Sequence, residues 1–259
     1  MNPKKVKRIV IKLGTDSVVK NNSFNSALAN SLAKDISKLV RSGKQVIIVS
    51  SGAIGIGLES MHITSFPESI EMQQAIAAVG QSKLMHDYQR AFSKFNQVIA
   101  QVLLTQEDLE KSKSLGNIKR SLNKLLSLGV VPIINENDAV ATHELASAKS
   151  FSDNDVLSAR VAAHLGADLL VMLSDVGGLF TDNPESNENA CLIEKVSDLR
   201  DLKAVVSGKS NRGRGGFKTK LTAAEIALKK EIPLIITRGK NGFLADIIKG
   251  KFKGTIFER

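Results

Sequence analysis

Ile9-Val10-Ile11-Lys12-Leu13-Gly14-Thr15 is an apolar run that ends in a lysine and a glycine turn. It is short, β-branched and free of polar alternation, the pattern of a strand buried on both faces of a parallel sheet. Other apolar runs lead into further short polar loops: Ser50-Ser51-Gly52-Ala53, Asn135-Glu136-Asn137-Asp138 and Ser174-Asp175-Val176-Gly177-Gly178. A fifth polar loop reads Gly213-Arg214-Gly215-Gly216-Phe217-Lys218-Thr219-Lys220. Loops leaving the carboxyl ends of strands are where open α/β sheets bind ligands. Glycines there let the backbone approach a ligand and aim N–H groups at anions. With Lys12 and Lys220 beside them, the five loops read as a phosphate site assembled from distant parts of the chain.

The stretches between the loops set the architecture. Leu28, Leu32, Ile36 and Leu39 recur at helical spacing over 26–42, and Gly43 stops that helix. Gln45 to Ser50 reads as the next strand, and the glycine-dense turn Gly52 to Gly57 enters another helix. A helix is expected over 71–95, a strand over 97–104, an amphipathic helix over 117–128 and a strand over 130–134. The stretch 139–150 has no strong period and is a candidate mobile active-site loop. Ser152 or Asp153 can cap a following helix lined by Leu157, Val161 and Leu165. Strands follow at 169–173 and 233–237, with a helix between them from Lys220 to about Lys230. The stretch 242–257 reads as a short hairpin or edge pair. Strands alternating with helices predict an α/β fold, a three-layer αβα sandwich with a mainly parallel central sheet. The expectation is a single domain over 1–259, with lobes of about 1–150 and 151–259.

Composition narrows the function classes. A chain of 259 residues with 42% hydrophobic and 24% charged content can bury a sizeable core. No apolar stretch approaches the roughly 18–20 residues of a membrane span. The basic segment Met1 to Arg8 precedes only three apolar residues before Lys12, so a leader peptide is not expected and a cytoplasmic location is. Cys191 is the only cysteine, which rules out an intrachain disulfide. His62, His86, His143 and His164 are scattered, so no bound metal site is expected. The net charge of +10 is spread along the chain, and aromatic content is 4% without tryptophan. With little to stack on bases, nucleic acid is not the expected partner; an anionic small molecule is.

The common phosphate signatures are missing: no G-x-x-x-x-G-K-[ST] loop, no G-x-G-x-x-G after the first strand, no H-R-D loop. Phosphoryl transfer needs none of them, only phosphates held in line, cations on their oxygens and usually Mg²⁺. Lys12 at a buried strand end is costly unless it meets an anion. Lys220, read at a helix start, sits badly with the helix dipole unless a phosphate arrives. Asn135 to Asp138 and Asp153-Asn154-Asp155 gather carboxylates and amides that can orient lysines, cap a helix or hold an amino-acid substrate.

As a set, the loops resemble those of the amino acid kinase family over nearly the whole chain, from Ile9 to Thr237. The similarity is most specific in Val49-Ser50-Ser51-Gly52-Ala53-Ile54, Ala78-Val79-Gly80-Gln81-Ser82, Pro132 to Val140, and Ser152-Asp153-Asn154-Asp155 with Leu157-Ser158-Ala159. Asn135 to Asp138 looks most like the branch that phosphorylates the side-chain carboxylate of L-glutamate with Mg·ATP, opening proline biosynthesis. By that resemblance Lys12 and Lys220 neutralise the transferring phosphoryl group and Asp153 holds both lysines. Ser51, Asp138 and Asn154 would bind L-glutamate, with Asn135, Asp155, Gly52 and Ala53 beside them. Lys12, Gly14, Ser174, Asp175 and the segment Arg214, Gly215, Gly216, Phe217, Lys218, Thr219 and Lys220 would bind ATP with Mg²⁺. Arg214 and Lys218 stand where many relatives carry small polar residues. The resemblance further implies a homo-oligomer (dimer or tetramer) and proline as a feedback inhibitor. The additional carboxyl-terminal RNA-modification-type domain of many bacterial members is not expected after Arg259. Acceptors such as N-acetylglutamate, aspartate or UMP define the neighbouring reading, and a non-catalytic nucleotide- or nucleic-acid-binding regulator the remote one.

Overall fold

The structure is a computed structural model that describes residues 6–140, 154–182, 184, 186–200, 202, 214–240 and 242–259, the last three residues of the fifth polar loop's glycine turn (214–216) by backbone only. The loop 139–150 expected to be mobile therefore lies almost wholly outside the described residues, as do the capping candidates Ser152 and Asp153.

The central sheet has eight strands. In chain order its main members are β1 (Arg8–Leu13), β4 (Gln45–Ser50), β5 (Ile99–Leu104), β6 (Val131–Glu136), β7 (Leu169–Leu173), β11 (Leu234–Thr237) and β12 (Gly254–Phe257), with β10 (Lys195–Val196) at one edge. Their spatial order is β10-β12-β11-β7-β1-β4-β6-β5. All pairs are parallel except β11 with β12. The chain moves from β1 to β4 on one side and returns at β7 on the other. β1 is thus the point where strand order reverses, and the crevice beyond its carboxyl end is where such sheets hold ligands.

Side-chain alternation builds the two outer layers. Ile9, Ile11 and Leu13 share a core with Ile48, Ile133, Val171 and Ile235, covered by α2 (Ser26–Arg41), α3 (Ala53–Ser60), α4 (Ile70–Ser93) and α9 (Phe243–Ile248). Val10 points to the opposite core, with Val49, Leu170, Met172 and Ile236, covered by α6 (Ser112–Ser127), α7 (Asn154–Leu165) and α8 (Arg214–Lys229). Lys12 has the parity of Val10, so its side chain leaves β1 on the α7–α8 side.

Smaller elements complete the chain: α1 (Thr15–Val18), the hairpin β2 (Val19–Lys20) and β3 (Ser23–Phe24), α5 (Gln106–Glu110), and the pair β8 (Leu179–Phe180) and β9 (Leu192–Ile193). The stretch 242–257 corrects the sequence reading. Its first half is a helix, α9, whose Phe243, Leu244 and Ile247 are buried, and only its second half joins the edge. Six residues are too few for helical periodicity to stand out from an apolar strand run.

Helices α3 and α4 cross at glycines. A Cβ on Gly80 would overlap the carbonyl oxygen of Ala53, and one on Gly57 would overlap that of Ile76. The two backbones touch because neither carries a side chain there. Gly52, the N-cap of α3, has φ +105°, a conformation that favours glycine. The crossing therefore fixes the loop at the carboxyl end of β4.

Candidate active site

The carboxyl ends of β1, β4, β6 and β7 converge on one edge of the sheet. Lys12, one residue before the end of β1, lies opposite Val49 of β4 and Met172 of β7. It is 7% exposed, and its ammonium lies 2.6 Å from Asp155 Oδ1. Lys220 Nζ lies 3.4 Å from Asp155 Oδ2, and the Thr219 hydroxyl donates to the same oxygen at 2.7 Å. Burial alone pushes the Asp155 carboxyl up; the ammonium groups of Lys12 and Lys220, with the Thr219 hydroxyl, outweigh it and hold the group below its usual range. Two ammonium groups and one carboxylate leave one net positive charge at the strand ends. Gly14 keeps the space clear: a Cβ there would sit 3.3 Å from Lys12 Nζ.

The sequence reading gave the lysine-holding role to Asp153, which lies outside the described residues. Among those described, the carboxylate that meets both lysines is Asp155, two residues on and in the first turn of α7. A second difference concerns Lys220. The glycine-rich segment was read as a loop ending at a helix start, but α8 begins at Arg214 and Lys220 lies in its second turn. Glycine weakens a helix by about 1 kcal/mol per residue, so local sequence argues against that first turn. Packing reverses the preference: Ala223, Ala224 and Ala227 of α8 and Ala159 and Ala162 of α7 are all fully buried in one core. Such small residues let the helices approach closely enough for Thr219 and Lys220 to reach Asp155. The dipole argument for Lys220 belongs to a first turn and does not apply.

Beside the lysines lies a buried amide cluster. Asn154, immediately before Asp155, donates from Nδ2 to Ser51 Oγ at 2.9 Å and to Asn135 Oδ1 at 3.1 Å. Asn135 donates to Gln81 Oε1 at 2.8 Å. Ser51, Asn135 and Asn154 are each at least 95% buried. Beneath them Ser50 Oγ donates to the Ser51 carbonyl at 2.9 Å and meets the Tyr88 hydroxyl at 2.8 Å. Burial raises the Tyr88 hydroxyl far above its usual range, with the Ser50 bond opposing, so the phenol stays protonated. The cluster borders a cleft of about 410 Å³ lined by Gln81, Ser82, Met85, Glu136, Asn137 and Asp138, among others. Asp138 thus shares the cleft with the amides, and Gly52 and Ala53 follow Ser51 at the start of α3.

The Ser174-Asp175 turn leaves β7, the strand next to β1. Ser174 is backbone-bonded to Thr237 at the end of β11, and its hydroxyl lies 3.1 Å from Asp175 Oδ1. Arg238 donates from Nε to the Asp175 carbonyl at 2.7 Å and from Nη2 to the same oxygen. Phe217 packs on the core and Lys218 is exposed, while Arg214, Gly215 and Gly216 form the first turn of α8.

Gln81, Ser50, Tyr88 and Arg238 carried no role in the sequence reading. For Gln81 a signal existed. Ala77, Gln81, Leu84 and Tyr88 fall on one helical face, and a polar residue among buried ones is the informative exception. Among the described residues no group of three His, Cys, Asp or Glu side chains is arranged to hold a metal ion.

A profile of the Amino acid kinase family matches residues 7–238. The glutamate 5-kinase of Enterococcus faecalis is 44% identical, with 97% of this chain and 94% of that one covered. That of Clostridium perfringens is 40% identical over 97% of this chain and 95% of its own. Among solved structures, the UMP kinase of Bacillus anthracis superposes with a TM-score of 0.63 at 18% identity, covering 98% of this chain and 96% of that one. An isopentenyl phosphate kinase gives 0.65 at 16% identity, covering 96% and 99%. At those identities the structural likeness is one of fold: a mainly parallel sheet between two helical layers.

Proposed function

The chain belongs to the amino acid kinase family, and on that premise we propose that it transfers the γ-phosphoryl group of ATP to the side-chain carboxylate of L-glutamate, the first step of proline biosynthesis. One observation carries the chemistry. Consecutive residues at the start of α7 face two sites at once: Asn154 joins the amide cluster and Asp155 joins the lysine pair. A substrate seated on the amides therefore has its far end at the cations. The 40–44% identity to enzymes named glutamate 5-kinase carries the choice of acceptor.

An ionised carboxylate oxygen attacks the γ-phosphorus, the bond from that phosphorus to the ADP oxygen breaks, and glutamate 5-phosphate and ADP form. No general base is needed, because a glutamate side chain is already ionised at neutral pH. Catalysis is then positioning and charge stabilisation. Lys12 and Lys220 would offset charge on the transferring group, and Asp155 would hold them where the phosphate arrives. Ser51, Asn135, Asn154 and Asp138 would hold glutamate. Lys12, Gly14, the Ser174-Asp175 turn and the segment Arg214 to Lys220 would hold ATP, and Asp153 remains a candidate beside them.

The donor set bears on Mg²⁺. Without a cage of protein ligands among the described residues, the fit is to a metal carried on the nucleotide's own phosphate oxygens and water. Bound that way it would withdraw charge from the phosphates. The half of the sheet from β1 to β5 would serve as the amino-acid lobe, about 1–150, and the half from β7 onward as the nucleotide lobe, about 151–259. The reading extends to a cytoplasmic enzyme; among the described residues no helix is long and apolar enough to cross a membrane. It extends also to a homo-oligomer, which would cover the exposed Met72, Val79 and Val98, and to feedback by proline, which shares glutamate's α-carboxylate.

The test is hydroxylamine trapping of acyl phosphate with Mg·ATP across candidate acceptors. Hydroxamate with L-glutamate and not with N-acetylglutamate or aspartate is the expected result. ADP release with UMP alone would overturn the reading.

A further inference from the structure

The amide cluster has a fixed polarity, and one backbone group sets it. The Glu136 N–H donates to Asn135 Oδ1 at 2.9 Å, and a backbone N–H can only donate. That choice settles which way every amide around it is turned. Asn135 must present its NH₂ to Gln81, so Gln81 must accept with Oε1. Asn154 must present its NH₂ to Asn135 Oδ1, and the Ser50 carbonyl 3.4 Å away requires the same orientation. The second proton of that NH₂ goes to Ser51 Oγ, which therefore acts as acceptor.

Three protons are left over. Gln81 spends its oxygen inside the cluster and keeps both N–H groups of Nε2. Ser51 accepts at Oγ and keeps its hydroxyl proton. Neither donates to another described residue, and Gln81 lines the cleft. The cleft that Gln81 lines is also lined by Glu136 and Asp138, which can only accept when ionised. Donors and acceptors gathered at one cleft match an α-amino acid, whose carboxylate needs the first and whose ammonium needs the second.

We infer that Gln81 is a specificity-determining residue whose Nε2 amide, with the Ser51 hydroxyl, binds the α-carboxylate of the acceptor, the carboxylate that does not react. This rests on the glutamate reading for the identity of the acceptor, but the polarity of the cluster does not depend on it. The donors reject a group that offers N–H where an oxygen is required. L-Isoglutamine is that probe: it keeps the side-chain carboxylate and carries an α-carboxamide. A site built around fixed donors discriminates strongly against such a mismatch.

Calorimetric titration of the wild-type chain with L-glutamate and L-isoglutamine, beside the hydroxamate assay, separates the two claims. Absence of hydroxamate with glutamate would count against the proposed reaction; the binding ratio judges Gln81 on its own. The wild-type chain should bind isoglutamine about tenfold or more weakly, the scale of one hydrogen bond to a charged group. Gln81→Glu keeps an oxygen for Asn135 and removes the donor. It should weaken glutamate by about 10–100-fold, shift the glutamate-to-isoglutamine ratio about tenfold or more toward isoglutamine, and leave ATP affinity within about twofold. Gln81→Met, uncharged, should weaken glutamate more than isoglutamine. Equal binding of the two ligands by the wild type, or an equal loss for both in the variants, would overturn the assignment.

Discussion

Lys12 Nζ lies 2.6 Å from Asp155 Oδ1, a buried ion pair that ties the end of β1 to the first turn of α7. The other oxygen of the same carboxylate faces Lys220 Nζ and the Thr219 hydroxyl on α8. Three elements distant in sequence thus meet at one side chain. Like-charged ammonium groups would otherwise drive one another apart, and a carboxylate between them makes their proximity tolerable.

Asp155→Asn should therefore cost both activity and stability. Leaving a buried charge uncompensated destabilises by about 3–5 kcal/mol, which for a chain of this size lowers Tm by roughly 6–20 °C. Activity should fall by about 10²-fold or more as the lysines lose their position. A variant with wild-type kcat would show that Asp155 does not organise the site.

The pH dependence has a definite sign. The folded Asp155 carboxyl titrates below its unfolded value. Its contribution is full above the ordinary carboxylate value of about 4 and is lost as pH falls through the lower, folded value. Thermal melts of wild type should steepen their decline below about pH 4, and those of Asp155→Asn should decline less over the same interval. Parallel acid limbs would contradict the assignment.

Replacing Lys12 or Lys220 with Ala should lower kcat by about 10²–10³-fold, the loss expected for one preorganised donor to a developing charge. The KM for glutamate should change far less than kcat. Steady-state kinetics at saturating Mg·ATP would measure both, and full-rate turnover by Lys220→Ala would remove that lysine from the mechanism.

Gly80→Ala should disrupt the α3–α4 crossing, since the new methyl would overlap the Ala53 carbonyl. Overpacking of this kind costs about 1–3 kcal/mol, and more where backbone must move. Because α3 begins at the Ser51-Gly52 loop and α4 carries Gln81, glutamate affinity should fall with Tm. Unchanged melting and binding would show that the helices can separate freely.

Tyr88→Phe removes one hydrogen bond to Ser50 while leaving the ring stacked edge-on against Phe24, 5.2 Å between centroids. The loss should be about 1 kcal/mol. Ser50 keeps its bond to the Ser51 carbonyl, so the KM for glutamate should rise only a few-fold. Denaturant melts together with kinetics would show it.

The fold was legible where burial is two-sided. β1, β4 and β7 have the bounds that their apolar runs imply, because a strand covered on both faces has no reason to alternate. Local signals failed where tertiary contacts override them. The first turn of α8 is glycine-rich and becomes helical against the alanines of α7. The helix α5 was missed although Thr105 and Asp108 form a reciprocal capping box, because five residues show little periodicity. The hairpin of β2 and β3 also passed unread, its turn being made by Asn21 and Asn22 at positive φ rather than by glycine. Within the site, residue types were readable and partnerships were not. Lys12 and Asn135 stand out as polar groups at the ends of apolar runs, and Lys220 and Asn154 as polar groups beside helix starts. That Asp155 spans two lysines, and that Gln81 completes the amide cluster, depends on how helices from three parts of the chain pack.

The account's central claim is that the side-chain carboxylate of glutamate is the nucleophile. The direct measurement is turnover of L-glutamate labelled with ¹⁸O in that carboxylate, with Mg·ATP and hydroxylamine. Attack of the carboxylate oxygen on phosphorus places a labelled oxygen in the bridge of the acyl phosphate. Hydroxylamine then takes the acyl carbon, and phosphate departs with that oxygen. Labelled phosphate appearing in step with hydroxamate is the predicted result; unlabelled phosphate, with ADP formed at the same rate, would contradict it.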